Sequence, residues 1–350
     1  MEISSSDSYY IDLLSTVMVC LFQYGNLTIY ILGMTGDLFS IAIFLKKKWR
    51  KNVCVFYFLI CLVLSLVYLN STVLSTSLIT GWNVDGVNSS VVTCKLMFYV
   101  TFITSTLLPT VLILASIDRL LISSQNVDTR LYSSRRLAYL SIGTSTVFWI
   151  LYNIHALVKV NIQQLGPSLF ICYYDLSSMY LNFIDYSFTV FNCLFCLLMI
   201  VLSVLSFKNV RQLRAVPRQQ RRQIRTMTKK DFQLLRCLFA HDVVYISVSI
   251  ISSFYGIYKM SSRDKQHTPL QSKLIDFFEN LFAFIYFTYY STSFFIFLFV
   301  SKAFRQEVKQ IIYKIIRKDM AVFQGEVEQQ QQLDKNNIQL NIDVVSTGVM

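Results

Sequence analysis

The sequence predicts an all-α membrane protein: a seven-transmembrane helix bundle followed by a short amphipathic eighth helix. Three observations carry this. Of the 350 residues, 54% are hydrophobic and only 15% charged, well under the quarter usual in soluble domains. Seven apolar runs are each about 20 residues or longer, enough to cross a bilayer, and with only 10 Gly and 4 Pro they are little interrupted. The basic residues, finally, sit between those runs rather than across them. The net charge of +12 is therefore a property of loops, and no nucleic-acid partner is expected; membrane lipids are.

Residues 1–25 form a short N-terminal segment, mildly acidic through Glu2, Asp7 and Asp12. No basic stretch precedes the first apolar run, which argues against a cleaved signal peptide. The bundle occupies 26–301, with helices expected at 26–45, 53–78, 95–122, 137–158, 181–207, 232–258 and 277–301. A loop of roughly 20 residues, about the length left between the fourth and fifth spans, holds Cys172. At 302–318, Phe304, Val308, Ile311, Ile312, Ile315 and Ile316 recur at spacings of three and four, with Lys and Arg opposite; this is a membrane-surface helix. Residues 319–350 are a polar, Gln-rich tail expected to be disordered. Lysines and arginines crowd the connections after helices 1, 3 and 5 and the segment after helix 7. The opposite side holds only Lys95, Lys159, Lys259, Arg263, Lys265 and Lys273. The positive-inside rule then places the N-terminus outside a plasma membrane and the C-terminus in the cytosol.

The most informative stretch runs from Cys94 to Asp118-Arg119-Leu120. Cys94 and Arg119 are 25 positions apart, about 37 Å of helix, so each stands at one membrane face. This resembles the third helix of rhodopsin-like G-protein-coupled receptors, where a capping cysteine and an Asp-Arg-Tyr motif lie at the same spacing. Gly36-Asp37 takes the place of that family's Gly-Asn in helix 1. Ser293-Phe294-Phe295-Ile296-Phe297 replaces Asn-Pro-x-x-Tyr, and Ser301-Lys302-Ala303-Phe304-Arg305 matches the junction into its eighth helix. The acidic residue of helix 2 is absent, with Ser65, or Leu66 after a one-residue shift, in its place. Helix 6 lacks Cys-Trp-x-Pro, and the expected helices 5, 6 and 7 hold no proline. The pattern is similar to that of divergent invertebrate orphan receptors.

The resemblance implies a receptor that binds an extracellular ligand and activates a heterotrimeric G protein. It implies a disulfide between Cys94 and Cys172, and a coupling role for Asp118, Arg119 and Leu120 in which the guanidinium is held at rest by the adjacent carboxylate and by helix 6. Counting from Arg119 puts Thr101 where amine receptors hold an aspartate, so an amine is not the expected ligand. Phe287 stands where opsins hold their lysine, so neither is retinal. A peptide or a small chemosensory molecule is expected instead, in a pocket including Thr101, Thr104, Asp185, Glu279 and Phe287, where Asp185, Asp276 and Glu279 could meet a basic group.

Asp37 is a carboxylate at membrane depth; the resemblance aligns Ser65 and Ser293 with it as the expected partners in a buried polar core, the alternative being a protonated acid that bonds a backbone carbonyl. His241 and Asp242 are comparably deep; adjacent on a helix, they point to different faces, so one faces the core and the other does not. Of the sequons at Asn26, Asn70 and Asn88, only Asn88 falls in an outer loop suited to a glycan. Cys193 and Cys196 form a C-x-x-C within an apolar span, with no His or Cys nearby, so no metal is expected, nor any cofactor. No H-E-x-x-H, G-x-S-x-G or P-loop occurs, and no enzyme is expected. The alternative class is a seven-span ligand-gated channel or transporter, against which stand the lack of a Gly-rich filter, an internal repeat or paired broken helices.

Overall fold

A computed structural model describes residues 5–84, 86, 90–124, 133–164, 170–175, 178–215, 229–262 and 265–314. Asn88, Arg130, residues 216–228, residues 315–318 of the expected eighth helix and the 319–350 tail lie outside these. Six helices among the described residues are long and apolar enough to cross a membrane, and a bent pair of helices brings the number to seven if it is counted as one span. The architecture is that of a multi-pass helical membrane protein.

The first span, α1, is Asp7–Phe44, in a helix that begins at Ser5. It starts about twenty residues before the expected 26–45, and the physical reason is visible in the chain. Nothing between Ile11 and Phe22 breaks a helix, and a π-helical turn at Leu21–Gly25 absorbs Gly25 without interrupting the rod. Asn26 is therefore an interior residue, fully buried, whose Nδ2 donates to Thr76 Oγ1 at 3.2 Å. The second span, α2, is Val53–Gly81. Asn52 caps it by accepting from the Cys54 N–H at 2.9 Å. At its far end Gly81 lies flat on α1: a Cβ there would stand 2.7 Å from Gln23 Cα and 2.8 Å from its nitrogen. Only glycine permits two backbones that close.

The third span, α3 (Val91–Ser123), crosses the middle of the bundle and is buried along most of its second half. Next come α4, Arg135–Lys159, α5, Ser178–Ala215, and α6, Lys229–Ser262. The loop between α4 and α5 folds into an antiparallel hairpin of β1 (Val160–Gln164) and β2 (Phe170–Tyr174), with Ile162 opposite Cys172. It lies between spans rather than in one, so the bundle itself stays all-helical. The hairpin packs with Cys94, Ala156 and Tyr180 into a small apolar cluster.

The last span is α7 (Pro269–Ser291) followed by α8 (Ser293–Val300), bent by 51°. It begins eight residues before the expected 277, because Pro269 sits at the helix start, where its missing N–H costs nothing, and Thr268 and Gln271 form a capping box. The bend occurs with no proline. Instead Thr288, Ser291 and Thr292 turn their hydroxyls back onto the carbonyls of Ile285, Thr288 and Tyr289 at 2.6, 2.9 and 2.7 Å. Such back-bonding bends helices. The Tyr290 carbonyl, one residue before Ser291, accepts from Ser65 Oγ of α2 at 2.7 Å. Residues 302–314 form a further helix, α9, in a separate unit; Phe304, Val308 and Ile311 alternate along it with Lys302, Arg305, Lys309 and Lys314.

Candidate functional site

The candidate residues gather at three levels along α3: its Arg119 end, the middle of the bundle, and its Cys94 end.

At the Arg119 end, the guanidinium is withdrawn from solvent, 1% exposed, and Asp118 is 5% exposed. Neighbours on a helix do not ordinarily face each other, but the long arginine folds back so that both its Nε (3.1 Å) and Nη2 donate to Asp118 Oδ2. Ser133 Oγ, before α4, donates to the other Asp118 oxygen. Arg119 Nη1 stands 3.8 Å from Asp231 Oδ1 on α6. That same oxygen accepts from Nδ2 of Asn52, the residue capping α2. One polar network thus ties the starts of α2 and α6 to the end of α3. A buried arginine demands this: an unpaired charge here costs several kcal/mol. Leu120 is half-buried and contributes only its carbonyl, which accepts from Ser123 Oγ at 3.0 Å. Asn52, Ser133 and Asp231 were not singled out from the sequence. The available signal was Asp231 itself, an acid at the end of a basic run.

In the middle, Asp37 is fully buried; among the described residues neither carboxylate oxygen has a partner at strict hydrogen-bond geometry, and Ser65 is the side chain that stands by it. Of the expected core, Asp37 and Ser65 are both buried and within interacting reach of each other, while Ser293 is half-buried. Ser65 spends its proton on the Tyr290 carbonyl, and Ser65 and Ser293 together line a void of about 10 Å³, the size of one water, that Asp37 does not line. The expectation for His241 and Asp242 is corrected, since both are buried. His241 lies against the rings of Phe58 and Phe297. Asp242 faces the other way and accepts from Ser116 of α3 (3.2 Å) and Ser203 of α5 (2.9 Å). Helix neighbours point about 100° apart, and α6 has packing partners on both sides, so both directions are interior.

At the Cys94 end, Cys94 and Cys172 are joined by a disulfide that ties the hairpin to the start of α3. Beside it opens a cavity of about 260 Å³. Thr101, Asp185, Glu279 and Phe287 line it together, with Tyr255, Lys259 and Tyr286 among the other walls. Thr104 is not part of it; its hydroxyl is turned back to the Val100 carbonyl at 2.8 Å. Thr101 instead shares a hydrogen bond with Thr72 of α2 at 2.8 Å. Glu279, 41% exposed, is paired through one oxygen: Lys259 Nζ lies 2.6 Å from its Oε1, joining α6 to α7. Charge counting along the chain places Lys259 only among the loop bases. Tyr173, on β2, is within electrostatic reach of Glu279, Lys259 and Asp185. Burial pushes the phenols of Tyr173 and Tyr174 up from their ordinary value, so both remain protonated and serve as hydrogen-bonding groups, Tyr173 donating to Tyr174 at 2.7 Å.

Among the described residues no cluster of three or more His, Cys, Asp or Glu side chains could hold a metal ion. No protein-family model and no curated protein matches the chain.

Proposed function

We propose that this chain is a receptor of the rhodopsin-like type. It takes an extracellular ligand into the cavity beside the Cys94–Cys172 bridge and activates a heterotrimeric G protein at the cytosolic Arg119 end. The observation that supports it best is the burial of Arg119 between Asp118 and Asp231. An arginine stored at a helix end, tied to a helix that can swing away, is what a closed coupling site requires.

The same helix serves both ends. Along α6, Asp231 and Lys259 are 28 residues apart, about 42 Å. A ligand that competes for Lys259 or Glu279 loosens the tie between α6 and α7. It favours activation only to the extent that it binds the open arrangement better than the closed one. When α6 tilts, Asp231 leaves Arg119, and the freed guanidinium faces a cleft into which a G-protein α-subunit can insert a helix. The bend between α7 and α8, made by hydroxyls rather than proline, supplies a second place where the bundle gives. The cavity suits a small molecule or the end of a peptide, carrying groups for both an acid and a base.

The test is nucleotide exchange on purified G proteins by the reconstituted chain, with a ligand screen read as G-protein dissociation. Arg119→Ala is expected to abolish exchange and to leave surface expression and ligand binding intact. Normal exchange by that variant, or a ligand-evoked current in cells lacking G-protein coupling, overturns the reading, the latter in favour of a channel.

A further inference from the structure

The largest cavity described above is not the largest in the bundle. A second one, of about 360 Å³, opens between α5 and α6 toward the Arg119 half, with α3 behind it. Asp242 lines it at 1% exposure. One of its oxygens accepts from Ser116 and Ser203; the other, Oδ1, has no hydrogen-bond partner among the described residues, and neither has the buried hydroxyl of Ser206, which lines the cavity from α5. The rim carries Phe207 and Phe239, both exposed on the flank of the bundle. In a membrane that flank meets hydrocarbon.

Leaving an acceptor unsatisfied inside a membrane protein is costly, and ionisable groups at this depth mark functional sites. The open positions are a carboxyl oxygen and a hydroxyl, about two residues' width of polar wall in an otherwise apolar chamber. A carboxylate repels an anion, and an alcohol brings one donor for two acceptors. An amine brings two or three. It also shares one proton with the carboxyl, so the pair is net neutral wherever that proton sits, which removes most of the penalty for a buried charge. Arg236, at the other end of the cavity and six residues or about 9 Å along α6, repels a cation toward Asp242.

We propose that this cavity binds a small lipophilic amine that enters from the bilayer between α5 and α6, its nitrogen donating to Asp242 Oδ1 and Ser206 Oγ and its hydrocarbon lying against Phe207 and Phe239. The site is separate from the cavity beside the disulfide and does not depend on the receptor reading.

The full chain in lipid nanodiscs, with no G protein present, is labelled with a diazirine-bearing 4-phenylbutylamine and, in parallel, with the matching pentylbenzene in which a methyl replaces the amine. Labelling is mapped by mass spectrometry and normalised to probe concentration in the membrane. The amine is expected to label α5 and α6 peptides around this cavity at about tenfold lower concentration than the hydrocarbon. Asp242→Asn is expected to erase that preference while hydrocarbon labelling persists, which also reports that the cavity is intact. Ala240→Trp, which fills the chamber without touching the carboxyl, is expected to remove both labels. Equal labelling of the unmodified chain by the two probes, labelling that maps elsewhere, or an Asp242→Asn variant that keeps the preference overturns the proposal. Should Asp242→Asn fail to fold, the two probes on the unmodified chain decide it alone.

Discussion

The two ends of the bundle are held by different kinds of force. At the Cys94 end, a covalent bond fixes the hairpin to α3, and α1 and α2 touch backbone to backbone at Gly81 and Gln23; the exchangeable tie there is the Lys259–Glu279 pair between α6 and α7. At the Arg119 end, α2, α3 and α6 are joined by side chains alone: Asn52 to Asp231, Asp231 to Arg119 at 3.8 Å, Arg119 to Asp118. Covalent and steric contacts have one arrangement. Ion pairs and amide bonds have partners they can exchange, water and a docking protein among them. On the proposed reading, motion belongs to the Arg119 end and shape to the Cys94 end.

Breaking the covalent side is expected to have the largest effect. The disulfide closes a separation of 78 residues, for which the loss of unfolded-chain entropy is worth roughly 4 kcal/mol. Cys94→Ser should lower the thermal midpoint in detergent markedly, with reductant having no further effect on the variant. A midpoint equal to that of the parent would show that the hairpin is held by packing alone. On the same side, Gly81→Ala drives a methyl into the Gln23 backbone and should cost about 1–3 kcal/mol, read in the same melt. A neutral result there would mean that α1 and α2 separate freely.

On the exchangeable side the expected losses are smaller and the functional changes larger. Asp231→Asn removes the charge facing Arg119 but keeps the shape; the guanidinium retains Asp118, so stability should fall by only about 1 kcal/mol while nucleotide exchange without ligand rises. Unchanged basal exchange would break the link between this pair and the closed state. Smallest of all, Ser65→Ala deletes the donor to the Tyr290 carbonyl at the bend and should cost about 1 kcal/mol or less. A melt indistinguishable from the parent would mean that water replaces the hydroxyl.

Much of this frame was legible in the chain. Spans are long apolar runs, and nothing local imitates them. The lengths of α2 to α6 therefore differ from expectation mainly at their frayed ends, whereas α1 runs twenty residues longer because Gly25-Asn26 resembles a helix start and a π-turn conceals the misfit. The bend of the last span was hidden for a complementary reason. Absence of proline suggests a straight helix, but Thr288, Ser291 and Thr292 carried the signal in their hydroxyls. The site was less legible than the fold. Four of the five expected pocket residues line one cavity, since helix register places them at one depth. The partners that neutralise the charged groups, Asp231 and Lys259, lie on another helix from the groups they meet, and no spacing within one helix reveals a contact between two.

The central claim is that the Arg119 end opens while the Cys94 end stays closed, and spin-label distances test it most directly. With the exposed Cys20 and Cys193 replaced by serine, one pair of labels goes on Leu137 and Arg236, exposed near the starts of α4 and α6. Another goes on Val92 and Tyr258, exposed at the opposite ends of α3 and α6. Introducing Asp231→Asn is expected to lengthen and broaden the first distance and to leave the second unchanged. A first distance that does not move, or two distances that move together, would contradict it.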